Sequence, residues 1–311
     1  MSEAYDAQKR NAMAPDRIAA GYPVELRPGL LRITAPNPSP LTAEGTNTYV
    51  IQGGAPILID PGPDNAAHRE TLLRALGGQV PAAILVTHSH LDHSPLATVL
   101  ARETGAPLLA FGPTGAGRSA VMNEIAATGD IGGSEGADPN FAPDRALADG
   151  ETLVLGGEEI TALHTPGHFG NHMCFAWRGA LFSGDHVMGW ASTLVSPPDG
   201  DLTHFMASTE RLAAREESIH YPGHGAPVSD PAARMAWLLE HRRGRDAQIR
   251  QALTAGPSDA AKLTRAVYTD VPTHLWPAAE RNVLAHLIAL YAEGDARTDG
   301  PLSTTSIFSL S

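Results

Sequence analysis

From Leu30 onward, short apolar runs alternate with turn residues. LLRIT, TNTYVI and PILIDPG read as strands bounded by glycine and proline. Residues Asn65 to Leu76 have helical spacing, and AAILVT (82–87) is apolar throughout, as a strand buried on both faces requires. The pattern then predicts a helix from Ser94 to Thr104 and a strand in APLLAF. Between Thr114 and Asp144 the composition turns to Gly, Asp and Pro with weak periodicity, which predicts a long loop or insertion of the kind that walls or covers a site. ETLVL, EEITALHTP, MCFAWRG and ALFSGD predict four more strands, 203–217 a helix, and SIHYPGHG a strand running into a loop. A long charged amphipathic helix is expected from Pro231 to Ala252 and another from Asn282 to Glu293. Residues 1–28 read as an irregular arm, and 295–311 as a polar tail, poorly ordered at its end. Strands followed by helices, twice over, imply an α/β class with two mixed sheets and helices on their outer faces. That unit spans residues 1–228, and 229–311 form a helical appendage.

Composition narrows the picture. Plentiful Gly (31) and Pro (25) with only 5% aromatics suit many short elements and tight turns, not a helical bundle. A formal charge of -12 repels nucleic acid and anionic membrane at long range, so neither DNA nor a membrane is an expected partner. The single cysteine, Cys174, excludes an intrachain disulfide and a thiolate metal cluster; within MCFAW it reads as a small core residue. The N-terminal segment carries no apolar signal core, and no run of about 18 apolar residues occurs, so a cytoplasmic location is expected.

Fourteen histidines invite tracing, because histidine is the commonest metal ligand at neutral pH. THSHLDH (87–93) follows the buried strand directly and crowds His88, His90, Asp92 and His93 onto one strand-to-helix loop. Imidazole and carboxylate suit zinc and first-row metals generally. A two-metal site needs more donors than one loop supplies, and they follow other strand ends: His168 in TPGH, Asp185 in FSGD, His224 in PGHG. Each adjoins a glycine, as expected where backbone must approach a crowded site.

The order HxHxDH, Gly-His, strand-terminal Gly-Asp, PGHG resembles the metallo-β-lactamase superfamily over about residues 30–228. The resemblance implies a four-layer αβ/βα sandwich with metals at one edge. It implies that His88, His90 and His168 hold one metal, Asp92, His93 and His224 a second, and that Asp185 bridges both. Asp60 in ILIDPG matches an early strand-end aspartate that orients a ligand loop. His172 and His186 are weaker candidates for support or pocket lining. His164 and His220 read as core or supporting histidines, and His68, His204, His241, His274 and His286 as structural.

Two divalent ions, zinc first and manganese or iron as alternatives, would activate water toward a pKa of about 7, with Asp92 handling the proton. That chemistry cleaves an ester, thioester, amide or phosphodiester. GTNTYVI, FSGDHVMGWAST, IHYPGHG and LTRAVYTDVPTHLWPAAERNVLAHLIAL are similar to the branch containing a mitochondrial β-lactamase-like endoribonuclease, with a winged-helix-like appendage. That branch often carries a cysteine where His186 stands. The resemblance therefore leaves open a small-molecule or single-stranded RNA substrate, with glyoxalase II-like thioesterase, lactonase and β-lactamase as alternatives. A mononuclear iron persulfide dioxygenase is the alternative of another class. The appendage is expected to shape substrate access and a homodimer contact without supplying ligands.

Overall fold

The computed structural model describes residues 18–311 apart from 129, 135 and 270. A seven-stranded sheet runs in chain order: β1 (Pro23–Arg27), β2 (Leu30–Thr34), β3 (Asn47–Ile51), β4 (Ile57–Ile59), β5 (Ala83–Leu85), β6 (Leu108–Ala110) and β7 (Arg145–Ala146). Neighbours are antiparallel up to β4 and parallel from β4 to β7. The second sheet contains β8 (Thr152–Leu155), β9 (Glu158–His164), β10 (Met173–Trp177), β11 (Ala180–Gly184) and β12 (Ile219–Pro222), in the order β12-β11-β10-β9-β8. Only its β11–β12 pair is parallel. The apolar runs ILI and AIL are buried on both faces, and their side chains alternate between two cores as the pleat dictates. Ile57, Ile59, Ala83 and Leu85 face the second sheet's Ile160, Phe175, Trp177 and Phe182. Leu58 and Ile84 face α1 (Ala66–Leu76) and α2 (Pro95–Thr104), meeting Leu72, Leu76, Leu96 and Leu100. On the far side, Leu163, Cys174 and Leu181 meet α4 (Leu202–Ala213) and α5 (Pro231–Leu253) through Leu212, Met235 and Leu238. Helix, sheet, sheet, helix is the expected sandwich.

Helix ends follow the local chemistry. Asn65, Asp201 and Asp230 accept backbone N–H groups at the starts of α1, α4 and α5, and Gly77 closes α1 in the left-handed region.

The structure departs from the pattern in several places. The described part of the N-terminal arm contains β1, paired on β2; residues 1–17 lie outside the described residues. The 114–144 stretch contains α3 (Ala120–Thr128), whose Met122 and Ile125 enter the core of the C-terminal helices. The tail folds back as a hairpin, β13 (Ala296–Thr298) with β14 (Phe308–Leu310), with Phe308 fully buried. Besides α5, the C-terminal helices are α6 (Ala260–Val267), which the pattern does not mark, and α7 (Trp276–Glu293), longer than expected. Helix α5 serves both cores, with Met235 and Leu238 on the sheet and Ile249 and Leu253 among α6 and α7.

Candidate metal centre

The residues that follow β5, β9, β11 and β12 converge. His88, His90, His168 and Asp185 form one group and Asp92, His93 and His224 a second, with the donor atoms in each within 4.8 Å of one another. In the first, His90 Nδ1 is 2.9 Å from His88 Nε2 and 3.1 Å from His168 Nε2. In the second, His224 Nε2 is 3.3 Å from His93 Nε2 and 3.1 Å from Asp92 Oδ2. Asp185 lies between the groups: Oδ2 is 3.3 Å from His224 Nε2 and 3.7 Å from His168 Nε2, and Oδ1 is 3.5 Å from His93 Nε2. All seven sequence-predicted candidates are brought together.

The outer ring nitrogens are anchored. His88 Nδ1 lies 2.9 Å from the Thr87 hydroxyl, which itself donates to Asp60 Oδ2 at 2.7 Å, so the ring is the donor. His93 Nδ1 donates to Asp60 Oδ2 (3.0 Å), His168 Nδ1 to the Leu194 carbonyl (2.6 Å) and His224 Nδ1 to the Gly45 carbonyl (3.2 Å). These bonds fix the tautomer, so each of those rings presents Nε2 inward. In the first group, the lone pairs of His88 Nε2 and His168 Nε2 both point at His90 Nδ1, at 2.9 and 3.1 Å, where a single N–H answers them only in part. Asp185 Oδ1 is buried with no hydrogen-bond partner among the described residues. Converging imidazoles, a shared carboxylate and an unanswered buried oxygen fit divalent cations.

Glycines let the backbone come this close. A Cβ on Gly223 would fall on Asp185 Oδ1 and His93 Cε1, and one on Gly184, at φ +47°, would meet His172 Nε2 and Thr87 Oγ1.

Burial pushes His88 well below the ordinary imidazole range and His90 down to about 3, with neighbouring histidines adding to both; burial lowers His168 too. These rings are neutral and ready to ligate. For His93 and His224 burial acts the same way, but nearby carboxylates outweigh it: Asp92, Asp185 and Asp60 raise His93, and Asp185 and Asp92 raise His224 to about 9. Without metal, both therefore carry a proton at neutral pH, and a metal must displace it. Affinity for zinc should consequently rise with pH through the neutral range, as the protons on His93 and His224 become easier to displace. Chelator-competition titrations across pH test this, and a pH-independent affinity contradicts it.

Asp60 sits behind the candidate ligands, accepting from Thr87 N and Thr87 Oγ1, both at 2.7 Å, and from His93. His172 is buried, its ring 5.1 Å from His88 and its Nδ1 2.9 Å from Thr165 Oγ1, so it backs the ligands and is not solvated. His186 does not line a pocket. It is fully buried beneath the site against Phe205, with Nε2 3.0 Å from Thr209 Oγ1 on α4, because the chain turns immediately after Asp185. His164 stacks on Phe111, and burial pushes the Cys174 thiol up to about 12, as befits a core residue.

Several supports escaped the sequence reading. Asn47 donates to the Pro222 and Gly225 carbonyls and Tyr49 to the Pro222 carbonyl, pinning the His224 loop from β3. Asn171 donates to Ser89 Oγ, and Thr46 Oγ1 lies 3.3 Å from Asp92 Oδ2. TNTY and GNH contained them, but no spacing marks a residue whose partner is a distant carbonyl.

A sandwich with this donor set at one edge defines a class. Residues 41–241 match the family model of the metallo-beta-lactamase superfamily and 260–301 that of the beta-lactamase associated winged helix domain. The chain belongs to the metallo-beta-lactamase superfamily and carries a C-terminal winged-helix domain. It is 32% identical over 286 residues to the beta-lactamase-like protein 2 homolog of Drosophila melanogaster, covering 88% of this chain and 91% of that protein. It is 30% identical over 238 residues to an atrochrysone carboxyl ACP thioesterase of Aspergillus fumigatus, covering 73% of this chain and 66% of the thioesterase's length. A metallo-beta-lactamase family protein of Thermus thermophilus superposes with a TM-score of 0.72 at 27% identity, covering 92% of this chain and 100% of that one. Among the described residues, no helix is long and apolar enough to cross a membrane.

Proposed function

We propose that the chain is a hydrolase that binds two divalent ions, zinc foremost, and cleaves a thioester of a small acyl substrate. The observation that carries the reading is the complete second donor group, Asp92, His93 and His224, beside the first. A mononuclear oxygenase has no use for that group. The ions, once bound, supply Lewis acidity and lower the pKa of water toward about 7. The residues do the rest. His88, His90 and His168 would hold the first ion and Asp92, His93 and His224 the second, with Asp185 between the two groups. Asp92 is the accessible carboxylate: its side chain is 28% exposed, against 9% for Asp185 and 1% for His224. The Thr46 hydroxyl orients it, and it accepts a proton from the attacking water and passes it outward.

The choice of a thioester rests on the relative named as an acyl-carrier thioesterase. RNA is the second reading, offered by the branch resemblance, and the -12 charge disfavours it. The test compares acyl-thioester and single-stranded RNA hydrolysis by zinc-loaded protein. We expect chelator-sensitive thioester cleavage and no RNA cleavage; RNA cleavage with an intact thioester would overturn the substrate assignment.

A further inference from the structure

The C-terminal helices reach the candidate centre through the loop 188–197, which follows Asp185. Arg242 on α5, immediately past the superfamily match, is 1% exposed, and its guanidinium ends among neutral oxygens. It donates to the Ser192 carbonyl at 2.9 Å, to the Thr193 carbonyl, and to Asn282 Oδ1 at 2.9 Å. Asn282, on α7 within the winged-helix match, also accepts from Val195 N at 3.1 Å. These bonds bracket Leu194, whose carbonyl receives His168 Nδ1 at 2.6 Å. The bracketed backbone is not relaxed. Thr193 sits at φ +61°, where a β-branched residue persists only if its surroundings hold it, and its hydroxyl donates to the Asp185 carbonyl at 2.9 Å. Two candidate ligands are thus seated on one strained turn whose carbonyls are held by the C-terminal helices.

Building on the two-metal reading, we infer that Arg242 and Asn282 are positioning residues for the metal centre: they fix the Leu194 carbonyl, and through it the orientation of His168. The winged-helix domain is on this account part of the metal site's scaffold as well as a neighbour of the cleft. Removing a group behind a ligand characteristically lowers metal affinity by about 10–100-fold.

The experiment is a cobalt(II) titration of the full-length protein, read by visible absorption and chelator competition. Arg242→Met and Asn282→Leu should each bind one of the two ions about 10–100-fold more weakly and alter its absorption, with the other ion unaffected. Asn282→Asp keeps the Oδ1 acceptor and should match the wild type. A merely structural role would lower thermal stability in these variants without changing affinity or spectrum in the folded protein. Wild-type binding with unchanged variants overturns this inference alone. A wild type that binds no cobalt overturns the two-metal reading beneath it. If Arg242→Met does not fold, the pair Asn282→Leu and Asn282→Asp carries the same comparison.

Discussion

Replacing Asp92 with asparagine should lower turnover by about 10²-fold or more, within the usual range for a lost acid–base group, while the sandwich stays folded. The side chain projects from the motif loop and is only partly buried, so little packing depends on it. Its contacts belong to the site: Oδ2 lies 3.1 Å from His224 Nε2 and 3.3 Å from Thr46 Oγ1. Burial would raise its pKa, but the charge on His93 and the hydrogen bond from His224 overcome that and hold it below the ordinary carboxylate range. In the metal-free protein it is therefore ionised throughout the neutral range. An amide of the same shape keeps an oxygen donor but takes no proton. Steady-state kinetics beside a metal count check the prediction, and a variant that binds both ions and turns over normally refutes it.

Asp60→Ala should be the most damaging single change behind the ligands. The residue is 2% exposed, and its carboxylate satisfies three buried donors, Thr87 N, Thr87 Oγ1 and His93 Nδ1. It also sits at φ +49°, a conformation aspartate tolerates better than alanine. Breaking one side of a buried charged network costs about 3–5 kcal/mol, and the freed His93 ring should lower metal affinity by about 10–100-fold. Asp60→Asn separates the two effects. Its amide oxygen still serves Thr87 N, but its NH₂ confronts the His93 N–H, which favours the tautomer that turns Nε2–H toward the metal. Thermal melts should show the asparagine variant much closer to wild type than the alanine variant, with metal affinity depressed in both. An alanine variant as stable as wild type, with undiminished affinity, would refute the role.

The candidate ligands were legible in the sequence because each stands where a strand ends. A buried run such as AAILV must stop at the sheet's edge, and parallel neighbours such as β4 and β5 stop at the same edge, so short motifs far apart in the chain arrive together. The partners behind the ligands were not legible for the opposite reason. Leu194 and Gly45 act through carbonyls, which every residue has, and Asn47 meets the His224 loop across 175 positions or more. Helix α3 escaped because a nine-residue helix among glycines is stabilised by docking on a distant core, and the local spacing carries little trace of that. Adjacency to Asp185 left the direction of His186 open, because consecutive residues at a strand end point opposite ways.

Counting the ions bound to the protein decides whether one cluster holds two of them. Elemental analysis of protein loaded with zinc and freed of excess should give two ions per chain, falling toward one when His93 and His224 are replaced, with hydrolysis lost in step. One iron per chain, with activity indifferent to His93 and His224, would contradict the account.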